Sequence, residues 1–285
     1  MPIPNIIPTP GIHYRVPNEE YHQWQALSHS WMNRLRLTPA HLRDLMENGG
    51  DESTPAMVVG SAVHCVVLEP DQYDLRYAVM IEGVNGTTKD GKAFKASEEA
   101  KGKTVLSLRD GRLVAAIARR AKHSARVQEW LHREHSCEVS LCWERDGYLC
   151  KARLDLMIPG LNTIVDLKTT VTASERGFAA QVAKYGYHLQ AAWYLDGIQR
   201  LTGQLWDWHF ITCEKRRPYL VNCQALLRDS EAHVRAVTEN DDLFRLYCAC
   251  MQSGLWPGYQ DVSEIKLPEW ALVDGAAVLD EPFDE

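Results

Sequence analysis

The sequence predicts an α/β fold in which a central mixed β-sheet has helices on both faces. Segments rich in β-branched and aromatic residues, separated by turn residues, occupy the middle of the chain. Segments with apolar residues at helical spacing precede and follow them. The chain has 285 residues, of which 45% are hydrophobic, so it can bury a large core. We therefore expect residues 1–258 to form a single domain.

The first half of the chain is predicted to be mainly helical. Residues 1–25 are rich in Pro and predict an extended lead-in, after which Ser28 or Ser30 is suited to cap a helix. Residues 83–103 are rich in Gly and Lys and predict a mobile loop. Apolar spacing and capping residues predict helices over about 31–47, 55–68 and 110–132.

The sheet is predicted from the second half of the chain. Asp146-Gly147 is typical of a hairpin turn. The predicted strands are about 137–144, 148–158, 163–169, 205–213 and 219–224. A helical stretch over 174–201, with a break near Tyr185-Gly186, and a last helix over about 230–251 complete the prediction.

The negative charge of the chain is concentrated at its C-terminal end. The formal net charge is −7, and residues 259–285 contain eight acidic residues and one basic residue. Residues 1–258 therefore carry equal numbers of acidic and basic side chains. We predict that residues 259–285 form a solvated, flexible acidic tail, with docking on a basic partner or competition with DNA as the alternatives.

Composition also limits the cellular context. The sequence has no apolar run of about 18 residues and no basic start followed by an apolar segment, so we expect neither a membrane span nor a signal peptide. We expect a cytoplasmic protein whose eight cysteines are free thiols. Without a CxxC pair, we expect no zinc ribbon.

Two predicted strands bring carboxylates together with a lysine. Asp155 lies near the end of one strand, and Asp166-Leu-Lys168 lies in the next. Side chains alternate along a strand, so Asp166 and Lys168 share one face. If the strands pair, Asp155 and Asp166 converge into an oxygen-ligand site suited to Mg²⁺ or Mn²⁺, beside an ammonium group. The alternative is a surface ion pair, which is common for this short pattern.

Four other side chains are candidates by their position. Gln190 and Tyr194 lie four residues apart and share one helix face, although a half-buried amphipathic helix would explain them equally. His64 lies in an apolar helical segment, where a core histidine is the alternative. Glu138 opens a strand, where a solvated strand end is the alternative.

In this order and spacing, the residues resemble the PD-(D/E)xK nuclease superfamily. The matching pieces are Gly60-Ser-Ala-Val-His64 with the following Leu-Glu-Pro, Glu138 at a strand start, Asp155 after Arg-Leu, Asp166-Leu-Lys168-Thr-Thr, and Gln190-x-x-x-Tyr194. Within the superfamily, the chain is most similar to the exonuclease VIII (RecE-type) nuclease domain of phages and prophages. The segment from Pro10 to Leu35 also resembles the opening of that domain. The resemblance runs from about Pro10 to about Trp256.

The resemblance implies a set of site residues and a metal. Asp155, Asp166, the carbonyl of Leu167 and His64 would bind Mg²⁺, with Mn²⁺ as an alternative. Lys168 would position the attacking water, and Gln190 would orient Lys168 or the scissile phosphate. Tyr194 and Glu138 would support these residues, and Ser30 would contact the 5′ phosphate of DNA, although capping alone would explain Ser30. Because no cysteine precedes Cys65, we expect none of the iron–sulfur clusters found in some relatives.

The implied activity is exonucleolytic hydrolysis of linear double-stranded DNA, degrading the 5′-ended strand and leaving 3′ overhangs. The implied partners are DNA ends, a single-strand annealing recombinase, and further copies of the chain in a ring, commonly a tetramer. An endonuclease of the same superfamily and a non-catalytic DNA-binding or assembly protein on a nuclease fold are the alternatives. Basic clusters at 89–103 and 119–126 could contact phosphates, or they could be solvated surfaces.

Overall fold

A computed structural model describes residues 6–50, 53–84, 86–260, 262 and 264–267. Over these residues the main sheet has seven strands, and the order along it is β1-β5-β6-β7-β8-β9, with β2 pairing with β6. The β3 and β4 strands form a separate parallel pair. The strand bounds are β1 Gly11–His13, β2 Leu27–Ser28, β3 Tyr77–Val79, β4 Thr104–Leu106, β5 Ser136–Arg145, β6 Tyr148–Ile158, β7 Thr163–Thr170, β8 Asp207–Glu214 and β9 Val221–Leu226.

Helices cover both faces of this sheet, as the sequence predicts. Serine or threonine side chains accept backbone hydrogen bonds at the N-termini of many of them, for example Thr54 at α4 and Ser107 at α7. The helix bounds are α1 Asn18–Gln23, α2 His29–Leu37, α3 Pro39–Asn48, α4 Pro55–Leu68, α5 Pro70–Arg76, α6 Lys89–Glu99, α7 Leu108–Lys122, α8 Ala125–Leu131, α9 Glu175–Tyr185, α10 Tyr187–Thr202 and α11 Glu231–Ser253.

Two hydrophobic cores lie on the two faces of the sheet. One contains buried side chains of α2, α3, α10 and α11, among them Trp193 and Phe244. The other contains side chains of α4, α7 and α8, among them Ile117 and Trp130. The sheet is mixed because β7 and β8 are parallel, whereas β5, β6 and β7 are successively antiparallel. The predicted α/β architecture is confirmed.

Most predicted elements of the sheet are confirmed. The β5–β6 hairpin turns at Asp146 and Gly147, whose φ angles of 47° and 82° are those of the tight turn that the sequence predicts. The predicted break in the 174–201 helical stretch falls at Gly186, where φ is 69° and α9 ends. The strands predicted near 205–213 and 219–224 are β8 and β9, each displaced by one or two residues.

Four predictions in the first half were wrong. The helix predicted over 31–47 is two helices, because Pro39 starts α3 after Thr38 takes an extended conformation. The helix predicted over 110–132 is also divided, between α7 and α8. The predicted mobile loop at 83–103 contains α6, capped by Thr88, and the extended lead-in contains β1 and α1.

The end of the chain and its thiols complete the description. The predicted acidic tail is described only at Tyr259, Gln260, Val262 and 264–267, and its other residues lie outside the described part. In the part of the chain that is described, none of the helices is long and apolar enough to cross a membrane. All eight cysteine thiols are unpaired.

Candidate active site between β6 and β7

The candidate site lies where β6 and β7 separate. The ladder between them begins at Ile158 and Thr163 and ends at Leu156 and Val165, so Asp155 and Asp166 are the next residues on each strand. On the same side, β6 pairs with β2 at Cys150 and Lys151. Residues 152–155 therefore face an opening between β2 and β7. The predicted pairing of the two strands is confirmed.

Asp155 bonds to the backbone of the neighbouring strand. Its Oδ2 accepts a hydrogen bond of 2.9 Å from the backbone N–H of Leu167, and Nδ1 of His64 lies 3.2 Å from the same oxygen. The N–H and C=O of one strand residue point to the same side, so the Leu167 carbonyl also faces the opening. A hydrogen bond joins the His64 ring to the Leu167 backbone. The structure thus brings together three of the four predicted metal-binding groups.

Asp166 is held by Lys168 and Gln190. Its side chain is 2% exposed, and its Oδ1 accepts hydrogen bonds from Lys168 Nζ at 3.0 Å and from Gln190 Nε2 at 3.1 Å. Its Oδ2 lies 2.7 Å from Lys168 Nζ as an ion pair, but accepts no well-directed hydrogen bond within the described residues. Gln190 also bonds to the Tyr194 hydroxyl one helical turn away.

Burial sets the protonation behaviour of this pair. Burial raises the pKa of Asp166 to about 6, although the Lys168 ammonium opposes this shift. Burial would lower the pKa of Lys168, but the carboxylates of Asp166 and Asp155 raise it above its ordinary value. At neutral pH the two groups therefore form a charged pair, and the Lys168 side chain, which lines the larger cavity, is 16% exposed.

Glu138 lies closer to the candidate metal ligands than the sequence suggested. It is on β5 opposite Asp155, between the paired positions 137–156 and 139–154, with a left-handed φ of 51°. Potential ligand atoms of His64, Glu138 and Asp155 all lie within 4.8 Å of one another. Burial, followed by the charge of Asp155, raises the pKa of Glu138 to about 7. Burial and the Lys168 charge lower that of His64 to about 4, so the imidazole is neutral and free to act as a ligand.

These side chains fit a divalent cation. Two carboxylates that repel each other and a neutral imidazole meet beside a backbone carbonyl, and hard oxygen ligands of this kind suit Mg²⁺ or Mn²⁺. The Asp166 Oδ2 atom, which is buried and ion-paired with Lys168 but accepts no directed hydrogen bond within the described residues, is a further oxygen beside these candidate ligands.

Cavities open on both sides of the carboxylates. A cavity of about 1060 Å³ lies on the His64 side, and one of about 390 Å³ contains Ser30, Asp155 and Gln190 in its lining. Glu138 and Arg153 line both. A phosphate-containing chain can therefore reach the site from two directions.

A family model for a PDDEXK-like domain of unknown function matches residues 28–266. The chain belongs to this PDDEXK-like family. A candidate exonuclease from Eubacterium rectale shares 17% identity, with 93% of this chain and 100% of that chain covered and a TM-score of 0.62. That similarity shows a common fold. A phage-related exonuclease from Haemophilus somnus, at 14% identity over 74% of this chain and 93% of its own, has a TM-score of only 0.33. No curated protein matches the chain.

Membership of the PDDEXK-like family confirms the resemblance to the PD-(D/E)xK superfamily and the nuclease-like fold. The predicted roles of His64, Asp155, Asp166 and Leu167 as metal ligands stay predictions, as do those of Lys168, Gln190, Tyr194 and Glu138 in catalysis. In position, Asp166 differs from the other predicted ligands because Lys168 and Gln190 donate hydrogen bonds to its carboxylate.

Ser30 lies on the smaller cavity of the PDDEXK-like domain, but it does not cap α2. The capping oxygen is that of Ser28, which accepts from the Trp31 N–H at 3.3 Å, and the two serine hydroxyls are 2.8 Å apart. The exposed Ser30 side chain is therefore not needed to satisfy the helix end. Its predicted contact with a DNA phosphate stays a prediction.

Arg153 is the site residue that sequence reasoning missed. It donates to the carbonyl of Val16 at 2.8 Å and to Ser140 Oγ, and its guanidinium lies 4.3 Å from the centre of the Tyr21 ring. Arg153 therefore lines both cavities and also holds Val16 and Tyr21 of the N-terminal segment against β6. Its position two residues before Asp155 on one strand was a usable signal, because residues at this spacing share a face.

Proposed function

We propose that this protein is a divalent-metal-dependent deoxyribonuclease that hydrolyses linear double-stranded DNA from its ends. The observation that carries the proposal is the separation of β6 from β7, where Asp155, His64 and Glu138 converge beside the buried Asp166–Lys168 pair. A purely structural ion pair would not explain three potential ligands around an opening with a cavity on each side.

The chain supplies ligands for the metal from three elements. His64 of α4, Glu138 of β5 and Asp155 of β6 would hold the cation, with the Leu167 carbonyl and Asp166 beside them. A divalent cation bound there supplies compensation for charge that develops on the phosphate and a nucleophile near neutral pH. The convergence of carboxylates also favours cation binding, because their mutual repulsion is relieved by it.

Lys168 is suited to act on the phosphate. Its ammonium is held against Asp166 at 2.7–3.0 Å, yet it remains partly exposed, so a remaining N–H can donate to a phosphate oxygen or to the attacking water. Gln190 donates to the same carboxylate and limits its rotation. The Lys168 donor is therefore oriented before the reaction begins. Donors that are preorganised in this way supply much of the electrostatic stabilisation of a transition state.

The finer features of the proposal rest on the resemblance to exonuclease VIII. They are 5′-to-3′ polarity, 3′ overhangs for recombination with a single-strand annealing protein, a ring of several copies, and action in the cytoplasm of a bacterial host. The fold shared with a candidate exonuclease supports action at ends. The smaller cavity, with Ser30 in its lining, is our proposed place for a terminal phosphate.

End-labelled linear duplex and covalently closed circular DNA distinguish the alternatives. Each substrate is incubated with Mg²⁺, Mn²⁺ or EDTA, with wild-type protein and Asp166→Asn. We expect loss of the linear duplex only, and this loss should require the metal and be abolished by the substitution. A label at the 5′ end of a strand should be released before a label at its 3′ end. Cutting of the circle would indicate an endonuclease. Binding without cutting under either metal would refute the catalytic proposal and favour a DNA-binding protein.

A further inference from the structure

A basic groove lies outside the site, between α7 and the turn that joins β8 to β9. The groove has a volume of about 820 Å³, and no acidic residue lines it. Its floor includes Leu113 and Ala116 of α7 and Pro218 of the turn. The cationic residues of this basic groove are Arg109, Arg112, Arg119, Arg120, Lys215 and Arg217.

Most of these cations have no counter-ion from the protein. Arg112 pairs with Glu82, but in the described part of the chain the other five form no ion pair. The acids nearest in sequence are engaged elsewhere, since Asp110 accepts from Ser107 and Glu214 accepts from the Ala173 N–H. Cations gathered without partners repel one another, so a bound polyanion would lower the energy of this surface.

The basic groove follows one face of α7. Its helix residues are spaced by three or four positions, from Arg109 to Arg120, and therefore form one stripe of about 16 Å. The opposite face of α7, with Val114 and Ala121, is buried in the core shared with α4. This stripe would follow about five base pairs of duplex, at 3.4 Å for each phosphate of one strand.

The basic groove is connected to the candidate site through the end of β7. The backbone N–H of Lys215 donates to the carbonyl of Thr170 at 2.9 Å, and Thr170 lies two residues, or about 7 Å, beyond Lys168. The helix that carries His64, α4, packs against α7. A chain of phosphates leaving the site toward this end of the sheet would therefore meet the basic groove.

We propose that the basic groove binds the phosphodiester backbone of DNA outside the cleavage site. This inference rests on the proposed nuclease function. Either the intact duplex or a released single strand can supply this backbone, and both have the same phosphate chemistry. The contact would be independent of base sequence, because arginine and lysine side chains at phosphates position a strand without reading bases.

The test is a salt titration of DNA binding by the full chain in EDTA, which prevents cutting. The variant is Arg119→Gln with Arg120→Gln, and the control is Arg235→Gln with Arg245→Gln on α11, which removes equal charge from an exposed helix packed on the opposite face of the sheet. Fluorescence anisotropy is measured with a duplex and with a single strand of equal length. Two lost contacts should reduce the salt slope by about 1.8 for duplex or about 1.4 for single-stranded DNA.

For duplex DNA, a slope change of that size corresponds to a Kd raised roughly 10- to 60-fold at 0.1 M salt. A change confined to one DNA form supports the groove and identifies the source of the phosphates. Equal slopes for the variant and the control, with both proteins folded, would overturn the inference. Lys215→Gln with Arg217→Gln tests the other wall of the basic groove. Unchanged salt slopes for duplex and for single-stranded DNA in this variant would also overturn the inference.

This outcome is separable from that of the nuclease proposal. If wild-type protein cuts DNA and the groove variants bind as it does, only the basic groove is refuted. If no protein cuts DNA, but the groove variants lose affinity, the basic groove stands without the nuclease function. In an active enzyme, the Arg119→Gln/Arg120→Gln variant should raise KM and leave kcat within about threefold.

Discussion

Replacing Lys168 by Met tests the centre of the proposed mechanism, because Met keeps the length of the side chain and removes its charge. The Lys168 ammonium is 2.7 Å from Asp166 Oδ2, and its side chain lines the larger cavity beside the opening between β6 and β7. Loss of a donor that stabilises developing negative charge typically costs 10²- to 10³-fold, or about 3–4 kcal/mol. We expect the rate constant for cleavage of saturating linear duplex to fall by this factor.

The assay is single-turnover cleavage with Mg²⁺, together with DNA affinity in EDTA. Affinity should change by no more than about eightfold at 0.1 M salt, which is the effect of one lost phosphate contact. Removing one partner of a buried ion pair destabilises a protein by about 3–5 kcal/mol, so the folded fraction must be measured by thermal unfolding. Lys184→Met, at an exposed lysine of α9, is the matched control.

The double variant Asp166→Asn with Lys168→Met separates folding from chemistry. It leaves no uncompensated buried charge at this position, so it should recover most of the lost stability while cleavage stays at least about 100-fold below that of the wild type. A folded Lys168→Met protein that cuts within tenfold of the wild-type rate would refute the assigned role of Lys168.

Packing, protonation and metal binding each give one further prediction. Gly197→Ala should destabilise the protein by about 1–3 kcal/mol in urea unfolding, because the added Cβ would lie 2.7 Å from the buried Trp143 ring. Burial, and next the charge of Lys168, lower the pKa of His29 from 6.5 to about 3. Between these two pH values the His29 ring is protonated in the unfolded chain but neutral in the folded protein. Unfolding free energy should therefore fall by about 2 kcal/mol at pH 5, and His29→Gln should lack this component. Mg²⁺ at about 100 times its Kd should add about 2.7 kcal/mol, seen as a rise in Tm that EDTA reverses and Glu138→Gln reduces.

Matched variants check the causes of these effects. Gly160→Ala places a Cβ where no atom lies within 4 Å, so a loss equal to that of Gly197→Ala would contradict the packing argument. Glu144→Gln removes an exposed acid from the same strand as Glu138 and should leave the metal effect on Tm intact. An unchanged pH dependence in His29→Gln would contradict the role assigned to that buried ring.

The middle of the fold was predictable because its signals are local. The β5–β6 turn needs two residues with positive φ, which Asp146-Gly147 supplies, and strand alternation places Asp166 and Lys168 on one face. Pairing of β6 with β7 then follows from the short connection between them. The positions of Asp155 and Asp166 across the opening were therefore available from the sequence.

Other features depend on contacts between distant segments. His64 meets Asp155 only because α4 packs over β6 and β7, about 90 residues later. Glu138 approaches Asp155 through a left-handed backbone conformation that its residue type does not favour. The α6 helix was missed because its Gly- and Lys-rich sequence resembles a loop. In the structure Thr88 caps this helix and the helix packs against β4.

The N-terminal segment has a consequence for synthesis of the protein. Lys151 donates to the carbonyls of Tyr21 and Trp24, and Arg153 donates to that of Val16, across separations of 127–137 residues. At 5–20 residues per second, these N-terminal residues are synthesised roughly 6–30 s before Lys151 and Arg153. During this interval Tyr21 and Trp24 lack Cys142 and Leu149, against which they pack in the fold, and exposed apolar surface of this kind promotes aggregation. Gln190 is translated later still, so the complete candidate site cannot form before these early contacts become possible.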